Sequence, residues 1–295
     1  MTDVVSGQIR KVCGGFYDVA AGGQVISCRA RGVFRQQGIT PLAGDQVRAE
    51  ILPDGTGYVL EILPRRNFLL RPPVANLDCL FLLCSTCRPA PNLRLLDHLM
   101  ALAELRGMEP VPVFTKSDLA DGTALAALYR AAGFSAVAVS LKDDADLVEI
   151  RGLLAGRLSA FCGNTGVGKS TLLNRLAPDL ALPTGEISDK LGRGRHTTRH
   201  VEIFPIAGGF VADTPGFSSL ELNETSSLTA ENLAACFRDF APYLDGCRFS
   251  DCVHAGDQGC RVAQAAADGK IAPSRYESYL ALWEKVKEIK PWQKR

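Results

Sequence analysis

The sequence predicts an α/β domain with a mainly parallel sheet, flanked by an N-terminal all-β barrel and a small C-terminal helical segment that carries a cysteine cluster. Three observations lead there. Five short β-rich runs separated by turn residues fill the first 63 positions, apolar strand runs alternate with helical patterns from 74 to 222, and cysteines and a histidine crowd together after position 246. The chain of 295 residues has room for two or three domains. Its formal net charge is +1, with 46% hydrophobic and 22% charged residues, the balance of a soluble globular protein. No apolar run approaches the ~20 residues of a membrane span, and the N-terminus has no signal-peptide pattern, so a cytoplasmic protein without membrane partners is expected. Ten cysteines in a chain of this size and without an export signal read as reduced thiols or metal ligands.

The first segment contains GQIRKV, FYDVA, GQVISCRA, DQVRAEIL and GYVLEIL, separated by Gly-Gly, Pro-Leu-Ala-Gly and Pro-Asp-Gly-Thr-Gly. Five strands at this spacing predict an OB-fold barrel. Residues 1–71 hold nine Lys/Arg against six Asp/Glu, and arginines 10, 29, 31, 35 and 48 suit a groove that follows a nucleic-acid backbone. No aromatic stacking platform is legible there, and solvated arginines are the plainer alternative. The stretch from Pro64 to Pro73 reads as a linker. Next come the strand LDCLFLLC, a helix over 92–106, the strand VPVFT, the helix ALAALYRAAG, the strand SAVAVS, a helix over 145–155 and the strand LSAFCG. Beyond position 223 a helix is expected from Thr229 to Phe240 and another near 274–289. The domain division is therefore 1–72, 73–222 and 223–295.

LSAFCG runs into Gly163-Asn164-Thr165-Gly166-Val167-Gly168-Lys169-Ser170-Thr171, a phosphate loop in its required strand-loop-helix setting. The glycines let backbone N–H groups and a helix N-terminus face a β-phosphate, Lys169 would span the β- and γ-phosphates, and the Ser170 hydroxyl would ligate Mg²⁺. Asp213-Thr214-Pro215-Gly216 lies at the end of the apolar run GGFVA, 43 residues after Ser170. There Asp213 can hold Mg²⁺ through water and the Gly216 N–H can sense the γ-phosphate, with Thr198 closing over the metal from the preceding switch segment.

Thr115-Lys116-Ser117-Asp118 ends the strand VPVFT. A carboxylate at Asp118 accepts from guanine N1–H and the exocyclic amine, a donor pair that adenine lacks, while the Lys116 stem can lie across the base. Asp118 as a simple helix N-cap is the rival reading. Ser140, at the end of SAVAVS, is a further base contact, although Leu141 stands where the usual loop has Ala. The base motif precedes the phosphate loop, whereas an ordinary GTPase domain has the reverse order. This implies a circularly permuted P-loop GTPase.

Cys247-x4-Cys252-x-His254-x5-Cys260 offers three thiolates and an imidazole within fourteen residues, the ligand set of a closed structural zinc site. Cys84-Ser85-Thr86-Cys87 has no partner histidine and reads as buried or incidental thiols. His98 reads as a packing or surface residue.

In motif order, in NLRLLDHLMALAE, TKSD, GNTGVGKSTLLN, LGRGRHTTRH and DTPGFSSL, and in the late cysteine cluster, the chain resembles the ribosome small subunit-dependent GTPase A family over nearly its whole length. The resemblance implies an N-terminal OB-fold, a C-terminal α-helical zinc-binding domain, one structural Zn²⁺, Mg²⁺ with bound GTP, and GTP hydrolysis stimulated by the small ribosomal subunit during its late maturation. It implies contact with the subunit's rRNA; a monomer is expected. Phe217 stands where many switch GTPases have a water-positioning glutamine. His196, two residues before Thr198, is the candidate to orient the attacking water, against the alternative that it joins Arg193, Arg195 and Arg199 on RNA phosphate. A GTP-gated scaffold without hydrolysis is the rival function.

Overall fold

A computed structural model describes residues 3–36, 38–70, 73–142, 144–180, 201–213 and 228–288. His196, Thr198 and Gly216, with Arg193, Arg195 and Arg199, lie outside the described residues. Two compact units emerge, the first drawn from Met1–Cys79, Ile150–Phe161 and Ser170–Ser218, the second from Leu80–Glu149, Cys162–Lys169 and Ser219–Arg295.

In the first unit, strands β1 (Asp3–Cys13), β2 (Phe16–Ala21), β3 (Gln24–Ala30), β4 (Gln46–Ile51) and β5 (Gly57–Ile62) pair in the order β1-β2-β3-β5-β4, and β4 returns to β1 to close a barrel. Alternation explains each strand: Ile9, Val19, Ile26, Cys28, Val47, Ala49 and Val59 point inward and are buried, with polar residues between them. Closure leaves no free edge among these five. A short helix, α1 (Gly32–Gln36), interrupts the path from β3 to β4. The Pro-rich stretch expected to be a linker instead forms a small hairpin, β6 (Phe68–Leu70) with β7 (Pro73–Ala75). It is tied down because Arg65 donates from Nε (2.7 Å) and Nη2 (2.8 Å) to the fully buried carboxylate of Asp45. A buried charge needs such a partner, so the segment cannot be a free tether.

Strands β11 (Leu158–Gly163), β12 (Val201–Ile206) and β13 (Gly209–Asp213) extend the same sheet: β11 runs parallel to β13, β12 antiparallel to β13, and β12 antiparallel to β1. Arg10, counted with the groove arginines, faces this extension. Its guanidinium lies 3.5 Å from the Phe210 ring centroid with Nη1 buried, so it is not a solvated groove residue.

In the second unit, β8 (Cys79–Ser85), β9 (Glu109–Thr115) and β10 (Val137–Val139) lie in the order β10-β9-β8, and β9 and β10 are parallel. Every residue of β8 is buried, as its unbroken apolar run required. Helices α2 (Leu93–Leu105), α3 (Thr123–Ala131) and α4 (Leu147–Leu154) are the connections, and α5 (Lys169–Leu176) follows β11. Asn92 caps α2, its side chain accepting the Leu95 N–H at 3.0 Å.

The expected helix over 229–240 is absent. Instead 3₁₀ turns span Ala234–Cys236 and Arg238–Tyr243, broken where Phe237 is extended at φ −111° and ψ 98°. Burial explains the break. Phe237 turns its ring into a cluster with Phe240 (5.0 Å between centroids) and Tyr279 (5.3 Å), a placement a continuous helix would forfeit. Helix α6 (Arg261–Ala267), missed in the sequence, follows Cys260, and α7 (Pro273–Val286) opens on proline at its first turn. Helix α7 packs on α2 around a buried ionic core: Arg275 donates to Asp97 Oδ1 (2.6 Å) and Asp239 Oδ1 (2.8 Å), and the Tyr129 hydroxyl donates to Asp97 (2.8 Å). Among the described residues no helix is long and apolar enough to cross a membrane.

Candidate nucleotide and metal sites

The base motif sits at the C-terminal end of β9, where parallel sheets place their ligands. Thr115 is fully buried, and its hydroxyl donates to the Val167 carbonyl of the phosphate loop at 2.5 Å, across 52 positions of chain. The consequence is geometric. A trans peptide holds C=O and N–H on opposite sides, so pinning the Val167 carbonyl to Thr115 turns the Gly168 N–H the other way, away from Thr115. Thr115 also accepts the Thr86 N–H on its own carbonyl at 3.0 Å. Lys116 adopts a left-handed conformation, φ 63°, which a non-glycine residue holds only when its surroundings dictate it. Here the Thr86 hydroxyl donates to the Lys116 carbonyl at 3.0 Å, the Ser117 N–H donates to the Val139 carbonyl at 3.1 Å, and the Lys116 ammonium donates to the Arg88 carbonyl.

Asp118 does not cap α3. The N-cap is Gly122, and just before it Asp121 Oδ1 accepts the Thr123 N–H at 2.9 Å. Asp118 Oδ2 instead meets Lys142 Nζ at 2.6 Å, and the Lys142 hydrogen bond holds its carboxyl below the usual range. It is therefore a carboxylate at neutral pH, the acceptor that guanine recognition needs. Ser140 ends the neighbouring strand: its N–H donates to Asp146 Oδ2 (2.7 Å) and its Oγ accepts the Lys142 N–H (3.3 Å). Ser140, Lys142 and Asp118 are thus linked.

The phosphate loop leaves β11 at Gly163, where a side chain has no room: an added Cβ would lie 2.8 Å from the Leu83 carbonyl oxygen. Gly166 (φ 80°) and Gly168 (φ 98°) supply conformations that glycine alone adopts readily. Asn164 and Thr165 are exposed, Val167 is buried, and Gly168 abuts Leu141, whose Cδ1 would lie 2.9 Å from an added Cβ. Leu141, the departure noted in the base loop, thus packs against the phosphate loop. Lys169 and Ser170 are half-buried and Thr171 is exposed in the first turn of α5. Asp213 ends β13, as its place after GGFVA required.

Cys247, Cys252, His254 and Cys260 present four ligand atoms that all lie within 4.8 Å of one another. Each sulfur is 3.6 Å from His254 Nδ1. A tetrahedral ion with metal–sulfur and metal–nitrogen bonds of ~2.3 and ~2.0 Å has S···N edges of ~3.5 Å, so the donor set fits one such ion. The surrounding chain supports the sulfurs: Cys247 Sγ accepts the Arg261 N–H and Cys260 Sγ the Ala263 N–H, both at 3.3 Å. Burial lowers the His254 pKa, favouring the neutral imidazole that a metal ligand must be. The Tyr276 hydroxyl donates to the His254 carbonyl at 3.1 Å, tying the cluster to α7. Cys84 and Cys87 join no such group among the described residues, and burial pushes the Cys84 thiol up. His98 is buried, which with Lys285 nearby pushes its imidazole down to about 4, the behaviour of a packing residue.

Sequence reasoning missed Thr86, Arg88 and Asp146, which hold the base loops. Arg88 acts through its backbone carbonyl, which leaves no residue-type signal.

Known proteins share this arrangement. The description RsgA N-terminal domain matches residues 6–59, and RsgA GTPase matches residues 62–223. A small ribosomal subunit biogenesis GTPase RsgA of Geobacillus thermodenitrificans (strain NG80-2) is 45% identical over 98% of this chain and 99% of its own length. Its namesake from Enterococcus faecalis (strain ATCC 700802 / V583) is 43% identical over 99% and 98%. Among solved structures, YloQ, described as a circularly permuted GTPase, superposes with a TM-score of 0.81 at 35% identity, covering 98% of this chain and 97% of its own. YjeQ from Thermotoga maritima gives 0.80 at 31% identity, over 96% and 99%. The match of fold, motif order and full length leads to one conclusion: the chain belongs to the RsgA GTPase family.

Proposed function

We propose that this protein hydrolyses GTP in the cytoplasm while bound to the small ribosomal subunit, acting as a monomer in that subunit's late maturation. The names of its relatives support the subunit assignment. The observation that carries the nucleotide reading is the Thr115–Val167 bond, which joins a guanine-type motif to a phosphate loop in permuted order. In this reading Asp118, with Lys116, Ser117 and Ser140, binds guanine. Gly163 to Thr171 cradle the phosphates, with Lys169 neutralising charge that develops between the β- and γ-phosphates. Ser170 and Thr198 would ligate Mg²⁺, Asp213 would hold it through water, and Gly216 would sense the γ-phosphate. Bound Mg²⁺ supplies charge neutralisation at the phosphoryl oxygens. His196 orients the attacking water, since Phe217 has no hydrogen-bonding group for that role. The Cys₃His cluster holds one Zn²⁺, and the working division is barrel 1–72, GTPase 73–222 and zinc-binding 223–295. Arg193, Arg195 and Arg199 contact rRNA phosphate.

The test is GTP turnover with and without purified small subunits, together with co-sedimentation in a non-hydrolysable GTP analogue. Stimulated turnover is expected, and His196→Ala should lower it by ~10²-fold or more while leaving GTP affinity and subunit binding intact. No turnover under either condition would establish the scaffold alternative. Loss of subunit affinity alone in His196→Ala, strongest at high salt, would move His196 to the docking surface.

A further inference from the structure

The barrel's outer face carries an alignment that no linear reading of the chain reveals. Phe16 on β2 stands opposite Arg29 on β3, Arg29 opposite Tyr58 on β5, and Tyr58 opposite Glu50 on β4. Because directly opposed residues share a face, Phe16, Arg29 and Tyr58 form one outward row across three adjacent strands. Their inward neighbours Tyr17, Cys28 and Val59 are buried in the barrel core. Phe16 is 45% exposed and Tyr58 37% exposed. The Arg29 guanidinium lies over the Phe16 ring, 4.8 Å from its centroid, and has no ion pair among the described residues. At the rim the charges cancel, Arg31 pairing with Glu50 at 2.6 Å and Arg48 with Glu61 at 3.7 Å.

Scattered exposed apolar residues need no explanation, but two rings flanking a guanidinium in one row do. With strands ~4.8 Å apart, Phe16 and Tyr58 are ~10 Å apart, with a planar cation between them. We propose that this row is a stacking platform for unpaired RNA bases, with one base on Phe16, one on Tyr58, and Arg29 reaching the phosphate between them. The chemistry favours a single strand over a duplex, because stacked base pairs hide the faces that the rings would cover. It also favours RNA over a protein partner, since the row combines π-faces with a cation that has no ion pair among the described residues, and not a continuous apolar surface. Phe16 follows the Gly14-Gly15 turn between β1 and β2, and Tyr58 follows the β4–β5 turn, the two loops that border the ligand face of OB-folds. The proposal rests on the reading that this protein works on the small subunit's RNA, and names the surface that would touch it.

The test uses the full chain without GTP and a fluorescein-labelled twelve-nucleotide single-stranded RNA of mixed sequence, with inorganic polyphosphate as a base-free polyanion. Phe16→Leu and Tyr58→Leu keep an apolar side chain but remove the ring. Each should weaken RNA binding about 10-fold and leave polyphosphate binding unchanged, while Tyr58→Trp keeps the affinity and shows indole quenching when RNA binds. Few phosphates are neutralised, so log affinity should fall against log salt with a slope of only about −1. Leucine variants that bind the RNA like the parent would overturn the platform, as would an equal loss for polyphosphate. Loss of small-subunit binding with RNA affinity intact would also overturn it, marking the row as a protein contact. Because the titration contains no GTP, failure of the GTPase reading leaves its outcome unaffected.

Discussion

The nucleotide region and the Cys₃His region solve the same problem, holding several side chains at fixed distances, by opposite means. The first assembles groups from positions 86, 115–118, 140–146 and 163–169 through strand ends and long-range hydrogen bonds such as Thr115–Val167. Its scaffold is a buried parallel sheet whose own core supplies the order. The second draws its four ligands from positions 247–260, in a stretch with no strand or helix of its own, backed by α6 and tied to α7 through Tyr276. There a bound ion would have to supply much of the order itself. The first region should therefore tolerate loss of its ligand, and the second should not.

The largest effect expected from that contrast is at the metal. Cys252→Ala, or chelation of the ion, should unfold the segment around 247–260, because structural sites of this kind contribute on the order of 10 kcal/mol to local folding. Hydrogen exchange should show protection lost there and retained in β8 and β9. Uniform protection after verified metal removal would erase the distinction between the two regions.

Next in size is Arg275, which joins α7 behind the metal segment to α2 beside the nucleotide sheet. It is 1% exposed, and its partners Asp97 and Asp239 are buried with it. Arg275→Ala strands both carboxylates and should cost ~3–5 kcal/mol, whereas Arg275→Met combined with Asp97→Leu should recover much of the loss. Thermal melts of the single and double variants decide the matter. If Arg275→Ala melts like the parent, the two regions are not mechanically joined through this core.

A smaller effect is expected within the nucleotide region. Thr115→Val keeps the shape but leaves the Val167 carbonyl without its donor, at a cost of ~1–3 kcal/mol, or about a 10-fold loss in GTP and GDP affinity. Thr115→Ser should restore it. A serine variant as weak as the valine one would mean that the methyl group, through packing, was the useful part. Asp118→Asn should shift preference from guanosine toward xanthosine nucleotides, read by competitive titration.

The smallest effect concerns the exposed Asp118–Lys142 pair. Lys142→Ala should change stability by less than ~0.5 kcal/mol, since exposed ion pairs contribute little. A large drop in melting temperature would show that the base loops, like the metal segment, depend on a local clamp.

Much of this was determined by sequence alone. Period-two alternation specified the five barrel strands, the unbroken apolar run LDCLFLLC specified a strand covered on both faces, and glycines at 163, 166 and 168 specified a phosphate loop. These are local signals, in which each residue's chemistry meets its backbone conformation within a few positions. The cysteine cluster was legible for the same reason, its ligands being close neighbours in the chain. The tertiary structure decided whatever depends on which distant residues meet. Residues 229–240 have a helical pattern, yet burying Phe237 against Tyr279 outweighs the helix. Arg275 reads as a surface cation until Asp97 and Asp239 close on it from two other segments. Phe16, Arg29 and Tyr58 are thirteen and twenty-nine positions apart along the chain, and only strand register sets them in one row. Local patterns specify elements because the backbone reads its own neighbours, whereas partners across a sheet are chosen by the packing free energy of the whole fold.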